Sequence, residues 1–268
     1  MDVDGSPIDL LTITPFLCCK ACSDSIGCER WEYDAPTQGC KLKDGQVTQA
    51  NIDCFDYKQV ESERRALELD GTVNSYVIAP APLFDMTALT TCMWIKTKGT
   101  GTLFSYSVPD NPDELSVRNT VNVGLTIKAT VRSTGVALND GIWHHACLTW
   151  QSQGGFFNFI VDGTSRMRDC GYNVDGKITG NGHLTLGQQQ TIYKGGFKAW
   201  QAVEGQIMDF NFWSSVLGVA EMAAGYLTGC GSDFYGTESN WLQLTVADKF
   251  GVIDVPLSSN DTCLASTR

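Results

Sequence analysis

The chain of 268 residues has no apolar run near the ~20 residues that a membrane-spanning helix requires. Basic side chains are scarce: 19 Lys and Arg stand against 30 Asp and Glu, a formal charge of −11. Such a surface repels phosphate backbones and anionic headgroups, so nucleic acid and membrane surfaces are disfavoured as partners. Histidine is rarer still, with only His144, His145 and His183, all far from the N-terminal cysteines. A zinc site therefore has few ligands to draw on. The signatures G-x-S-x-G and H-E-x-x-H and the phosphate-binding P-loop are missing. So is the E-x-D-x-x-E cluster with which β-sandwich glycosidases set acid against base. Glu204 and Asp209 are the nearest substitute; the sequence reads a turn between them and offers no third member. These absences predict a protein without catalytic activity. The opening residues, Met1-Asp2-Val3-Asp4-Gly5, show neither a basic n-region nor an apolar h-region, so no signal peptide is visible.

Cysteine, by contrast, is abundant. Eleven occur, at positions 18, 19, 22, 28, 40, 54, 92, 147, 170, 230 and 263, six of them within the first 54 residues. That density belongs to small disulfide-held modules in oxidising compartments and predicts a secreted or cell-surface protein. The sequon Asn260-Asp261-Thr262 makes Asn260 a candidate glycosylation site. Eleven is odd, so at least one thiol stays free, bridges chains or bonds to something else.

Residues 1–57 hold the cysteine-rich unit. Cys18 and Cys22 are four apart and share one face of a short predicted helix. Gly27 ends it, and Trp31-Glu32-Tyr33 and Cys40-Lys41-Leu42 read as strands around a turn at 34–39. The pattern C-x3-C-x5-C, then an aromatic strand, then C-x-L resembles the PAN/apple family. That resemblance implies bridges Cys18–Cys40 and Cys22–Cys28, leaving Cys19 and Cys54 for each other. A unit this small needs such bridges to fold. Residues 58–66 are charged and read as a linker.

From residue 67 the pattern turns to β. Leu125, Ile127, Ala129 and Val131 alternate with polar residues, as one strand with a wet face would. Phe157, Phe159 and Val161 alternate likewise and lead into the turn pair Asp162-Gly163. Residues 182–187 and 207–213 are further strands, and residues 215–227 read as a helix. Short strands with Gly, Asn and Asp turns predict a two-sheet antiparallel sandwich.

One segment is more specific. His145-Ala146-Cys147-Leu148-Thr149-Trp150-Gln151-Ser152 fits H-x-C-x-[ST]-W-x-[ST], and residues 67–247 resemble the pentraxin family along their length. Supporting points are Thr91-Cys92-Met93-Trp94, Leu186-Gly187-Gln188, Phe212-Trp213 and Asn240-Trp241, the last resembling the family's closing strand. The resemblance implies a mainly β, laminin-G-like jelly roll with one short helix, beside the small α+β module. It also implies a Cys92–Cys147 bridge, stapling two strands across the core. His144 and His145 point to opposite faces of one strand and are read as structural.

The resemblance further implies calcium held by loop carboxylates and amides. Here the expected Glu-Gln-Asp step reads Gln189-Gln190-Thr191, so two carboxylates are missing. Gln201 matches a later glutamine ligand. Asp113 falls near the family's Asp-Asn pair, with Asp110-Asn111 as the alternative alignment. Calcium takes six to eight oxygens and gains affinity from carboxylate charge. Asp113, Gln189, Gln190 and Gln201 therefore predict weak calcium binding or none, and the glutamines read equally as a hydrogen-bonded polar loop. Two functions stand against each other. One is extracellular recognition of carbohydrate or protein ligands by an oligomer. The other is a structural subunit of a ring, sheath or filament. Cys230 paired with Cys263 would tie back the tail of residues 248–268 and leave Cys170 for assembly. Val252, Ile253, Val255 and Leu257 either add an edge strand or pack on a neighbour.

Overall fold

The computed structural model describes residues 65–231, 235–257, 261 and 263, and the backbone of 30–34 and 39–43. The chain divides into two compact units, residues 1–63 and 64–268. In the first, β1 (Arg30–Asp34) and β2 (Gly39–Lys43) form an antiparallel hairpin with Trp31 opposite Leu42 and Tyr33 opposite Cys40. These are the two strands the aromatic and C-x-L segments predict. Among the described residues this hairpin is all the first unit shows, and it does not support an apple-like module. The bridges Cys18–Cys40, Cys22–Cys28 and Cys19–Cys54 lie outside the described residues, as does Asn260.

The second unit is a sandwich of two seven-stranded antiparallel sheets. Its strands are β3 (Arg65–Asp70), β4 (Tyr76–Ala79), β5 (Ala88–Thr97), β6 (Thr102–Val108), β7 (Asn111–Arg118), β8 (Gly124–Ile127) and β9 (Thr130–Ser133). They continue with β10 (His144–Gln151), β11 (Phe156–Val161), β12 (Thr164–Asp169), β13 (His183–Leu186), β14 (Glu204–Trp213), β15 (Asp248–Phe250) and β16 (Ile253–Pro256). One sheet runs β12-β11-β10-β5-β14-β3-β16, the other β15-β4-β13-β6-β7-β8-β9. Alternate residues meet in the core: Leu67, Met93, Leu148, Trp150 and Phe159 from the first sheet, and Val77, Phe104, Tyr106, Leu115 and Leu186 from the second. Burying side chains of this size contributes about 1.5–3 kcal/mol each.

The signature strand β10 lies between β11 and β5. Its two faces differ in company. Ala146, Leu148 and Trp150 enter the core, while Cys147 lies on the outer face with Cys92, Ile160, Trp213 and Met222. Cys92 is directly opposite Cys147 on the neighbouring strand, and the two are bonded. Opposed residues of an antiparallel pair share a face. The bridge therefore joins neighbouring strands of one sheet outside the core, not two strands across it. Met222 belongs to α1 (Val219–Leu227), which covers this face. The helix starts later than the expected residue 215. Thr90 Oγ1 donates to Ser215 O and accepts from Leu217 N, holding that stretch as loop.

Three further readings are corrected. Residues 125–131 are not one strand but the hairpin β8–β9, turning on Lys128 (φ 48°) and Ala129 (φ 61°). Val131 pairs with Thr126 and faces outward, because a two-residue turn exchanges the faces that simple alternation would assign. Asn240-Trp241-x-x-Leu244 is not a closing strand but α2 (Trp241–Thr245), capped reciprocally by Asn240 and Gln243. Glu204 and Asp209 share β14 with no turn between them. A bulge between Met208 and Asn211, with Asp209 at φ 50°, lets both Ile207 and Phe210 reach the core.

The C-terminal segment belongs to the sandwich. β15 pairs with β4 and β16 with β3, one on each sheet. Asp261 Oδ1 accepts from Lys96 Nζ and Trp143 Nε1, and Cys263 is bonded to Cys230. Among the described residues Cys170 is the free cysteine, and it is exposed.

Candidate functional site

The outer face of the second sheet carries small polar residues where the inner face carries aromatics. On β6, Ser105 and Ser107 alternate with Phe104 and Tyr106, and all four are buried. The serines are covered by the connection from β13 to β14, residues 187–203, which folds back over them. Gly187, at φ 88°, makes the turn, and its N–H and C=O bond to Leu103 O and Val203 N.

Two glutamines pin this connection. Gln188 Nε2 donates to Thr72 O (2.7 Å) and Ser75 O (3.0 Å). Gln190 Nε2 donates to Ser105 O (3.0 Å) and His183 O (2.9 Å). Its Oε1 accepts from Ser107 Oγ at 2.5 Å and lies 3.1 Å from His183 Nδ1. Burial holds the His183 imidazole below its usual pKa, which the bond to Gln190 opposes. Gln190 thus spends both ends of its amide on the fold and has no oxygen to offer a ligand.

Gln189 faces the other way. Its Nε2 donates to Asp113 Oδ1 at 3.1 Å and to Gln190 O at 3.3 Å, while its Oε1 is buried without a partner. Asp113 Oδ1 also lies 3.4 Å from Ser116 Oγ, and Asp113 Oδ2 is 3.7 Å from Arg118. Beside it, Glu114 accepts from Asn111 Nδ2 (2.9 Å) and Thr179 N (2.7 Å), with Lys128 Nζ at 3.5 Å. Gln201 ends a single 3-10 turn (Ala199–Gln201), and its Oε1 too is buried without a partner. The same turn lifts Trp200 into solvent, 74% exposed, and Ile192 is 62% exposed.

Of the four residues the sequence offered for calcium, Asp113 and Gln189 come together and Gln190 is diverted into the scaffold. Gln201 shares the loop. Asp110, in the alternative alignment, is exposed, and it is Asp113 that reaches Gln189. The donor set suits calcium poorly: one carboxylate already faced by a guanidinium, and neutral amides in place of acids. Sequence reasoning missed Arg118 and Lys128. Their signal was present, since each lies on a strand end or hairpin tip beside the acidic pair.

Among the described residues, no paired acid and base stands out on this face. The metal-like cluster of Cys92, His145 and Cys147 is occupied by its own disulfide. Burial pushes the His145 pKa down to about 4, so its ring is neutral under Trp94 and Tyr226.

Comparison with known proteins agrees with this architecture. The profile of the Pentaxin family matches residues 72–253. Human neuronal pentraxin-1 is 36% identical over 152 residues, 55% of this chain and 35% of that protein. Mouse neuronal pentraxin-2 is 31% identical over 172 residues, 62% of this chain and 39% of that protein. The human neuronal pentraxin receptor is 32% identical over 178 residues, 63% of this chain and 35% of that protein. The matched part thus spans little more than a third of each relative. Among solved structures, the native heptameric SAP-like pentraxin of Limulus polyphemus superposes with a TM-score of 0.62 at 22% identity, covering 75% of this chain and 98% of that one, a likeness of fold. With the signature strand, the two-sheet sandwich and a family match over most of its length, this chain belongs to the pentraxin family.

Proposed function

We propose that this chain is a non-catalytic extracellular recognition subunit that binds carbohydrate or protein ligands through the β13–β14 loop face and assembles with copies of itself. The observation that carries the reading is Trp200, held in solvent on a loop whose neighbours are fixed by Gln188 and Gln190. A large aromatic kept exposed on a rigid support is a recognition feature, because its burial is available only to a partner. Extracellular residence is supported by the bonds Cys92–Cys147 and Cys230–Cys263, which persist in oxidising surroundings. Glycosylation at Asn260 belongs to the same reading. The absence of calcium-suited carboxylates shifts recognition from metal bridging to stacking and hydrogen bonding.

The test is a glycan array together with a screen of extracellular protein fragments, run with the wild type and Trp200→Ala. Binding that falls about tenfold in the variant supports the reading. Binding indifferent to Trp200 moves recognition off this face, and glycan cleavage would overturn the non-catalytic assignment.

One observation favours a second reading, a structural subunit of a larger extracellular assembly: the exposed free thiol of Cys170. Native mass spectrometry of the non-reduced protein decides. Disulfide-linked multimers lost in Cys170→Ser support it; a discrete non-covalent oligomer supports the recognition subunit.

A further inference from the structure

We propose that the β13–β14 loop face is built to work without a divalent cation, its carboxylates balanced instead by two of the protein's own side chains, Arg118 against Asp113 and Lys128 against Glu114. The inference concerns the same face as the proposed recognition function and deepens it, since it fixes whether any ligand must be met through a metal.

Charge is the first argument. Residues 188–203 contain no Asp or Glu and two lysines, Lys194 and Lys198. The carboxylates that remain lie on β7, and each faces a cation: Asp113 Oδ2 is 3.7 Å from Arg118, and Glu114 Oε1 is 3.5 Å from Lys128. Calcium affinity rises with the number of uncompensated carboxylates around the ion. Neither Asp113 nor Glu114 is uncompensated, and a dication at Asp113 would have to displace the guanidinium beside it.

Orientation is the second. A glutamine that serves a cation turns its amide oxygen toward the carboxylate that shares the ion. Gln189 does the reverse: it gives Nε2 to Asp113 Oδ1 and to Gln190 O, so its oxygen points away from the acid. Two acceptors for one NH2 group fix that orientation, since the flipped amide would set oxygen against oxygen. Gln190 adds no ligand, because its Oε1 is held by Ser107 and His183. Glu114 is 1% exposed, and both its oxygens accept from Asn111 and Thr179. What stands in the place of a metal site is a hydrogen-bonded network that Arg118 joins; the buried oxygens it leaves without partners, Gln189 Oε1 and Gln201 Oε1, are neutral amide oxygens.

The experiment is calcium titration by calorimetry on the full chain, with thermal melts in calcium and in chelator. No carbohydrate or protein ligand is present, so the outcome is separate from the result of the Trp200→Ala screen. The wild type is expected to give no saturable heat and coincident melts. The variant Arg118→Gln/Gln189→Glu/Thr191→Asp, which removes the guanidinium and restores two acids, is expected to gain one saturable calcium per chain and to melt higher with calcium than without. Should the triple variant fail to fold, Gln189→Glu is titrated in its place and is expected to gain calcium affinity over the wild type. A wild type that binds one calcium per chain, lost in Asp113→Asn, would overturn the proposal. So would a folded triple variant that gains no calcium, since the network would then not occupy a metal's place.

Discussion

His144 Nδ1 stands 2.8 Å from Asp162 Oδ2, and its other ring nitrogen stands 3.1 Å from Asp140 Oδ2. One imidazole thus ties Asp140, in the loop before β10, to Asp162, in the turn that follows β11. Asp162 also accepts from the His145 N–H through its other oxygen, so the bridge is anchored to β10 itself.

The bond to Asp162 raises the His144 pKa above its usual value, with burial opposing and Asp140 helping. A raised folded pKa means that the pair stabilises fully below the unfolded value near 6.5, and that this is lost as pH rises through the folded pKa. Comparing urea midpoints of wild type and His144→Gln should show a gap of about 1 kcal/mol or less at pH 6 that narrows at alkaline pH. His145 runs the other way. Its pKa is lowered to about 4 by burial, so stability is lost as pH falls from 6.5 toward that value. An NMR titration in which His144 titrates below His145 would contradict both assignments.

The two adjacent glutamines should differ sharply when truncated. Gln190→Ala strands Ser107, His183 O and Ser105 O in a buried site, and should cost about 2–3 kcal/mol in denaturant unfolding. Gln189→Ala removes one bond to a part-exposed carboxylate and one long backbone contact, and should cost about 1 kcal/mol. Equal costs would mean that the loop is not pinned where the hydrogen bonds place it.

Ala129 occupies left-handed backbone, φ 61°, at the exposed tip of β8–β9. Glycine adopts that conformation without the Cβ penalty of roughly 1–2 kcal/mol, partly offset by its freer unfolded chain. Ala129→Gly should therefore raise the melting temperature, whereas Ala129→Val should lower it. A neutral result for both would place the turn elsewhere.

Cys230 and Cys263 bond across a separation of 33 residues and hold the end of the C-terminal segment. Cys230→Ala/Cys263→Ala should leave the core sheets protected and speed hydrogen exchange in residues 248–257. The cost expected from loop-closure entropy is about 4 kcal/mol. Uniform loss of protection across both sheets would show that this bond supports the whole sandwich.

Much of the fold could be read from residue order because its signals are local. Phe157, Phe159 and Val161 alternate and end on Asp162-Gly163, and that is β11 and its turn. What escaped depended on parity and partners. Alternation through Ala129 ran straight across a two-residue turn, since nothing at Lys128-Ala129 is glycine or asparagine. Asn240-Trp241 looked like a strand until Gln243 supplied the cap that makes it helical. The side of the sheet on which Cys92 and Cys147 meet follows from register, which composition does not carry. At the loop face the loss of acids was visible, yet the pairing was not: Lys128 meets Glu114 only when the β8–β9 turn lies beside β7, and Arg118 meets Asp113 within β7 at a spacing of five, which simple alternation sets on opposite faces.

The strands β15 and β16 are joined by two residues, Gly251 and Val252, and each is hydrogen-bonded to a different sheet. Gly251 lies at φ 58°, so close to Asn74 that a side chain would meet its carbonyl at 2.7 Å. A single short segment therefore acts as a clasp across one flank of the sandwich, hiding the open backbone of β3 and β4 together. Unfastening it would expose two templates for strand addition at once. Among the described residues, the opposite flank keeps its outer strands β9 and β12, tied to each other by the ion pair of Arg132 with Asp169 at 2.8 Å, and the exposed charges of Arg166 and Arg168 on β12 discourage copies from joining edge to edge.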